Sequence, residues 1–184
     1  AAAELNEKDK YLFYVDATNS RLYLYENING KLSYKDDYYV SIGKNGFGKQ
    51  YEGDKKTPVG TFKLKPGLFR GDRMLRLCCT PGLKLLRSNM GWCDQAGTGL
   101  YNRWIEAGHR FSHERMWRDD HVYDVVFPTS HNESPRIQGA GSAIFFHLAR
   151  PDYAGTEGCV AISPADMRRL LPRLGRQVEL VITR

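Results

Sequence analysis

A histidine and a cysteine in the last third of the chain are the residues whose types and spacing best fit chemistry. His147 ends the apolar run Ile144-Phe145-Phe146, and Cys159 follows after a loop of eleven residues. A loop of that length can fold back to the strand end that displays the histidine. A neighbouring imidazole can take the proton of a thiol and return a proton to a leaving amine. The pair therefore predicts acyl transfer, with Cys159 as the nucleophile and His147 as the base.

The residues just before the cysteine fit the same chemistry. Gly158 has no side chain, so the backbone N–H groups of Gly158 and Cys159 can face a developing oxyanion. Thr156 can hold the turn through its hydroxyl. Taken singly, however, a buried cysteine is usually a small core residue, and a histidine on an apolar strand is often structural. From the residues alone, the catalytic and the structural interpretations both stay open.

The elements that must position this pair are mostly β-strands. Aromatic and β-branched runs bounded by turn residues predict strands at residues 11–15, 22–25, 32–34, 38–43, 57–64, 122–127, 142–148 and 178–182. The Gly- and Lys-rich residues 44–56 predict an exposed loop. Ser163 as N-cap before Pro164 and Asp166 predicts a helix start, with Met167, Leu170, Leu171 and Leu174 buried and the last turn distorted at Pro172.

The middle of the chain is the least regular part. Glycines interrupt short apolar pieces over residues 66–118, which we interpret as a long insertion with a short helix at residues 102–107. The 184 residues fit one domain. We therefore predict an N-terminal tail at residues 1–10 and a single domain at residues 11–184 that carries the insertion.

Composition narrows the function classes. The chain is 41% hydrophobic with a net charge of +6, and it contains no apolar run long enough for a transmembrane segment. Its basic residues do not alternate with aromatic ones, which argues against a nucleic-acid partner and leaves an anionic polymer such as a cell wall. The small residues at its start resemble what signal cleavage leaves and favour export, although a trimmed start would look the same.

Cysteine spacing bears on metal binding and on disulfide formation. Cys78, Cys79, Cys93 and Cys159 show neither a zinc-knuckle nor a C-x-x-C spacing, so thiolate metal binding is not expected. In an exported protein Cys93 could pair with Cys78 or Cys79. Closing a loop of about 15 residues in this way would stabilise the protein by roughly 3 kcal/mol.

Two motifs and the histidine together resemble a known family. They are Lys56-Thr57-Pro58-Val59-Gly60-Thr61-Phe62, then His147, then Thr156-Glu157-Gly158-Cys159. In this order they look like the YkuD-type L,D-transpeptidase catalytic domain, over about residues 11–183. The resemblance implies a mainly β, β-sandwich-like fold with a few short helices and a long insertion, in a periplasmic or otherwise exported protein.

The resemblance also implies an activity. The family acts on peptidoglycan stem peptides: its cysteine attacks an L,D-peptide bond, releases the terminal D-residue and passes the acyl group to an amine. Carried over, Cys159 is the nucleophile and His147 the base, oriented by a backbone carbonyl just after it. The amides of Gly158 and Cys159 are the expected oxyanion donors. No metal or cofactor is required, and carbapenems are expected covalent inhibitors.

The chain departs from the family pattern around the cysteine. Glu157, Val160 and Ala161 stand where the family has histidine and other polar residues, and the interval from His147 to Cys159 is short. Other side chains must therefore recognise the substrate. We expect these to be Trp117, Arg118, Asp119, Tyr123, Thr156 and Glu157. Arg118 could hold a carboxylate and Tyr123 could donate to the oxyanion, whereas the alternative is that Trp117 and Tyr123 are core residues.

Three other functions remain open at this point. The same thioester released by water would make the protein an L,D-carboxypeptidase or endopeptidase. A non-catalytic wall-binding module would keep Cys159 as a structural residue. The third is a zinc hydrolase, because His109 and His113 on a helix would face the same side next to Glu114, although a third ligand is missing.

Overall fold

The computed structural model describes residues 11–74, 82–174 and 178–184, which form two β-sheets and one α-helix. The strands are β1 (Tyr11–Asp16), β2 (Arg21–Ile28), β3 (Lys31–Ser41), β4 (Gly60–Lys63), β5 (Leu68–Phe69), β6 (Lys84–Leu85), β7 (Met90–Cys93), β8 (Trp104–Glu106), β9 (His113–Arg115), β10 (Val125–Pro128), β11 (Phe145–Leu148), β12 (Val160–Ile162) and β13 (Val178–Thr183). The large sheet runs β4-β13-β1-β2-β3-β12-β11-β10-β5-β6, and the small sheet β8-β7-β9.

The first half of the large sheet is a hairpin extended on both sides. Strands β1 and β2, which match the strands predicted at residues 11–15 and 22–25, pair antiparallel, and β13 pairs parallel with β1. The two short runs predicted at residues 32–34 and 38–43 form the single strand β3. The reason is a bulge that leaves Lys35 unmatched opposite Leu24 and Tyr25, so pairing continues through the polar residues between the runs.

The second half of the large sheet carries the predicted histidine and cysteine. The end of β3 pairs with β12, and β12 pairs parallel with β11. Strands β10 and β11 begin three residues later than predicted, at Val125 and Phe145. The main hydrophobic core includes Phe13, Leu22, Phe146 and Val160, all almost fully buried.

The helix α1 (Pro164–Leu170) closes this core. The Ser163 hydroxyl accepts a hydrogen bond from the Asp166 amide at 3.1 Å, which confirms the predicted N-cap. Residues 171–173 continue as a 3₁₀ turn at the predicted distortion. The predicted apolar stripe is buried: Met167, Leu170, Leu171 and Leu174.

The middle segment supplies strands to both sheets. Strands β5 and β6 extend the large sheet, whereas β7, β8 and β9 form the small one. The helix predicted at residues 102–107 is wrong, because β8 pairs there with β7. Asn102 turns the chain into β8 with a φ of 55°, and its amide nitrogen donates to the carbonyls of His131 and Asn132. Tertiary pairing thus overrides local helix preference.

Two further predictions concern cysteines and membranes. Cys93 is a buried free thiol, while its suggested partners Cys78 and Cys79 lie outside the described residues.

Across residues 11–74, 82–174 and 178–184 we find no helix with the length and apolar character needed to span a bilayer.

Candidate active site

Strands β11 and β12 place Cys159 and His147 on one sheet face. In their parallel register Phe146 lies beside Val160 and His147 beside Ala161, so Cys159 precedes the His147 partner by two residues. Side chains two residues apart on a strand point to the same face. Cys159 and His147 are therefore diagonal neighbours, and both line one pocket.

The thiol of Cys159 is held by backbone atoms. It donates to the Ala143 carbonyl and accepts from the Phe145 amide, both at 3.3 Å. Ala143 has a φ of 55°, in the left-handed region. Within the described part of the chain, the imidazole of His147 is not among the hydrogen-bond partners of the thiol, so the thiol must turn away from Ala143 before it can give up its proton to His147.

The imidazole of His147 has a fixed orientation. Its Nδ1 donates to the Leu148 carbonyl at 2.8 Å, which is the backbone carbonyl expected just after the histidine. Because a carbonyl only accepts, Nδ1 carries the hydrogen and Nε2 keeps its lone pair. The Tyr123 ring packs edge-on against the imidazole, with 5.2 Å between ring centroids. Nε2 is thus the ring nitrogen of His147 that can accept a proton.

Burial favours the uncharged form of both side chains. It lowers the pKa of His147 to about 4 and raises the pKa of the Cys159 thiol to about 12. The nearby carboxylate of Glu114 also raises the thiol pKa. A pair of neutral groups is therefore the resting state at neutral pH, and the imidazole does not lower the thiol pKa as a charged neighbour would.

The turn before Cys159 depends on a glycine. Gly158 has a φ of +138°, and a Cβ there would lie 2.8 Å from the Lys56 carbonyl oxygen. The Thr156 hydroxyl donates to the Cys159 carbonyl at 2.6 Å and accepts from the Gly158 amide at 3.1 Å. Thr156 thus holds the turn as predicted. The Gly158 amide is already occupied, which leaves the Cys159 amide as the other predicted backbone donor.

The loop at residues 44–56 was predicted to be exposed, but part of it is buried next to this turn. Asp54 and Lys49 form an ion pair at 2.8 Å, with each side chain only 2% exposed. The Asp54 carboxylate also accepts from the amides of Gln50, Tyr51 and Lys56. Burial would raise the pKa of Asp54, but Lys49 and these amides together lower it. The carboxylate therefore fixes the Lys56 carbonyl against Gly158.

The pocket above the two strands is lined by charged groups of both signs. It encloses about 830 Å³, with Cys159 and His147 on its floor. Its lining includes the carboxylates of Glu52, Asp94, Glu114 and Glu157 and the cations of Lys44, Lys49, Arg118 and Arg150. Such a pocket is complementary to a ligand that carries both an ammonium and a carboxylate group.

Glu114 is a site residue that the sequence did not assign to this pocket. The Tyr123 hydroxyl donates to its carboxylate, and Arg118 lies 3.8 Å from the same oxygen. Burial raises the pKa of Glu114. Because Tyr123 already donates to Glu114, this phenol can serve an oxyanion only after that hydrogen bond breaks.

The other predicted substrate residues divide into two groups. Arg118, Thr156 and Glu157 line the pocket. Trp117 and Asp119 do not line it: the Arg70 guanidinium lies 3.5 Å from the Trp117 ring centroid, and Asp119 is exposed.

The suggested zinc pair does not lie on a helix. His113 begins β9, and its two ring nitrogens contact the Phe111 carbonyl at 2.7 Å and the Gly108 amide at 3.2 Å. The His109 ring accepts from the Phe111 amide. Both histidines therefore hold the turn before β9, and the described residues contain no cluster of three metal-binding side chains.

Known proteins share this fold and sequence pattern. The YkuD family, described as the L,D-transpeptidase catalytic domain, matches residues 10–182. The structure of the helical cell shape determining protein Pgp2 from Campylobacter jejuni is 17% identical, with a TM-score of 0.56 over 95% of this chain and 47% of that one. Bd1075 from Bdellovibrio bacteriovorus is 18% identical, with a TM-score of 0.53 over 98% of this chain and 50% of that one.

These similarities define the class of protein. The chain has the mainly β fold expected of L,D-transpeptidases, and it belongs to the YkuD L,D-transpeptidase catalytic domain family. It spans about half the length of the two similar structures. No curated protein sequence matches it.

Proposed function

We propose that this chain is a peptidoglycan L,D-transpeptidase that uses Cys159 as its nucleophile and His147 as its base. The observation that carries the proposal is the placement of both residues on one face of the paired strands β11 and β12, at the floor of the pocket. Membership of the YkuD family supports the reaction class. An exported location, in contact with the cell wall, is part of the same proposal.

The first half of the proposed reaction forms a thioester. Nε2 of His147 takes the thiol proton, and the sulfur attacks the carbonyl carbon of the donor peptide bond. The Cys159 amide and a released Tyr123 hydroxyl would stabilise the oxyanion. The imidazolium then protonates the leaving amine as the C–N bond breaks. The donor acyl group remains on Cys159, and the terminal D-residue leaves.

The second half regenerates the thiol. The acceptor amine attacks the thioester carbonyl, His147 takes a proton from that amine, and the C–S bond breaks. The sulfur leaves with the proton from the imidazolium. The carboxylates in the pocket lining suit an ammonium-bearing acceptor and its arginines suit a stem-peptide carboxylate, which supports a peptide amine as the acyl acceptor.

Defined muropeptides test this proposal. We expect the protein to give cross-linked dimers detectable by mass spectrometry and the Cys159→Ala protein to give none. Trimmed monomers in place of dimers would make the protein a hydrolase with the same thioester. A Cys159 that forms no acyl adduct with either a stem peptide or a carbapenem would contradict the catalytic proposal and favour a wall-binding module.

A further inference from the structure

The small sheet separates the active-site pocket from a second groove. Glu114 on β9 lines the pocket, whereas β8, at the other edge of the sheet, lines the groove. The groove encloses about 840 Å³, and its lining includes β8 and residues of the 65–68 segment that leads into β5. The proposed reaction uses none of its residues.

An exposed tryptophan forms one side of this groove. Trp104 on β8 is 41% exposed, although it is one of the largest apolar side chains. Its ring packs edge-on against the buried Trp92, with 4.7 Å between centroids. The Trp92 indole nitrogen donates to the Asn102 side chain at 2.9 Å. Trp104 is therefore held by a fixed partner and presents apolar ring surface to a ligand.

Polar and cationic groups surround that ring. Lys84, Arg87 and Arg103 are exposed, and none forms an ion pair with another described residue. Lys65 is paired with Glu133 at 2.7 Å. The groove holds four cations against two carboxylates, those of Glu106 and Glu133. Guanidinium groups and the Asn89 amide can donate to hydroxyl, acetamido and carboxylate oxygens.

We infer that this groove binds the glycan strand of peptidoglycan, with a sugar ring on Trp104 and its polar substituents toward Arg87, Asn89 and Arg103. The apolar C–H face of a sugar ring fits an exposed indole, and the cationic rim fits the lactyl carboxylates of muramic acid that carry no stem. The inference names a second contact of the proposed substrate and so rests on the proposed function.

A row of buried aromatic rings measures the separation between the groove and the active site. A row of aromatic contacts joins Trp104 to His147 through Trp92, Phe145 and Tyr123, with centroid spacings of 4.7, 5.1, 5.7 and 5.2 Å. A peptide of five residues spans up to about 17 Å when extended. A stem attached to a strand in the groove therefore has a length of the same order as this row, and it would pass around the small sheet because the rings between are buried.

The test measures binding without catalysis. The probe is stem-free glycan strands, released from sacculi by an amidase, and isothermal titration measures their affinity for the Cys159→Ala protein. We expect saturable binding that Trp104→Ala and Arg103→Ala each weaken by about tenfold, as for an anchor residue. Trp104→Phe, which retains an aromatic face, should keep most of the affinity.

Matched controls lie on other surfaces of the chain. Tyr34 on β3 is 53% exposed and Arg168 on α1 is exposed, so Tyr34→Ala and Arg168→Ala should bind as the parent does. If Trp104→Ala disturbs Trp92 and fails to fold, Arg103→Ala still decides the result.

Several results would overturn the inference. These are equal affinity in all variants, binding of stem peptides alone, binding of single-stranded DNA in place of glycan, or a dimer that Trp104→Ala dissociates. Because the Cys159→Ala protein has no nucleophile, its glycan binding is independent of whether the parent makes cross-linked products. Failure of the groove and failure of the proposed reaction are therefore separate outcomes.

Discussion

The floor of the active-site pocket and the wall formed by Glu114, Tyr123 and Arg118 are held by different means. On the floor, the thiol of Cys159 and the imidazole of His147 hydrogen-bond only to backbone atoms among the described residues. On the wall, Glu114, Tyr123 and Arg118 hold one another through side chains. Backbone contacts follow from strand register, whereas side-chain contacts change with a single substitution. The difference teaches that the proposed chemistry and substrate recognition can be perturbed separately.

The largest expected effect comes from the floor. His147→Gln removes the base but can keep the hydrogen bond to the Leu148 carbonyl, so we expect acylation of Cys159 to slow by about 10²–10⁴-fold with little change in fold. Stopped-flow acylation by a carbapenem measures this rate. Arg118→Ala on the wall should instead raise the stem-peptide concentration needed for half-saturation. The limiting rate should stay within about tenfold of that of the parent. Equal losses of limiting rate would contradict the separation of floor and wall.

The next effect concerns the loop beneath the floor. Asp54→Ala leaves the Lys49 ammonium buried without its partner, so we expect the free energy of unfolding to fall by about 3–5 kcal/mol. Urea denaturation measures it. Glu157→Gln breaks the exposed ion pair with Lys44 and should cost less than about 1 kcal/mol. A small effect of Asp54→Ala would show that the loop does not depend on this ion pair.

A third prediction uses the depressed pKa of His147, which is about 4 in the folded chain against 6.5 as the ordinary value. As pH falls below 6.5, His147 takes up its proton in the unfolded chain but not yet in the folded chain, so acid favours unfolding. Stability from neutral His147 is present above pH 6.5 and is lost as pH falls toward 4. We expect a loss of about 2 kcal/mol from this histidine between pH 7 and pH 5.

Urea denaturation at several pH values measures that loss. His147→Gln should make the dependence shallower by one proton, and the remaining slope should include His131, whose pKa burial also lowers to about 4. The same slope in the parent and in His147→Gln would mean that His147 is not buried as a neutral base.

Much of the regular frame could be predicted from local pattern. The hairpin of β1 and β2, the capped helix α1 and the closing strand β13 follow from alternation, turn residues and a capping serine, which act over a few residues. The motif residues around Gly158 and Thr156 likewise identify a turn whose hydrogen bonds are local. These features are short-range, so the sequence contains enough to specify them.

The small sheet and the pocket wall could not be predicted in the same way. The segment at residues 102–107 contains residues compatible with a helix, and only pairing with β7 makes Trp104–Glu106 a strand. Glu114 gains its place because β9 brings it to the Tyr123 hydroxyl, a contact between separate segments of the chain. No local pattern indicates such a contact. The buried ion pair in the loop at residues 44–56 was not predicted either, because lysine and aspartate are typical surface residues.

The smallest expected effect tests whether the wall acts on the floor at all. Glu114 raises the pKa of the Cys159 thiol, so Glu114→Gln should lower that pKa and increase the rate of iodoacetamide labelling at pH 8 by between about two- and tenfold. Glutamine can still accept from the Tyr123 hydroxyl, which keeps the packing. Glu106→Gln removes a carboxylate from the other edge of the small sheet and should label as the parent does. Removing a nearby negative charge should speed labelling, whereas removing a distant one should not. If Glu114→Gln labels more slowly than the parent, or if both variants respond alike, the wall does not set the reactivity of the thiol.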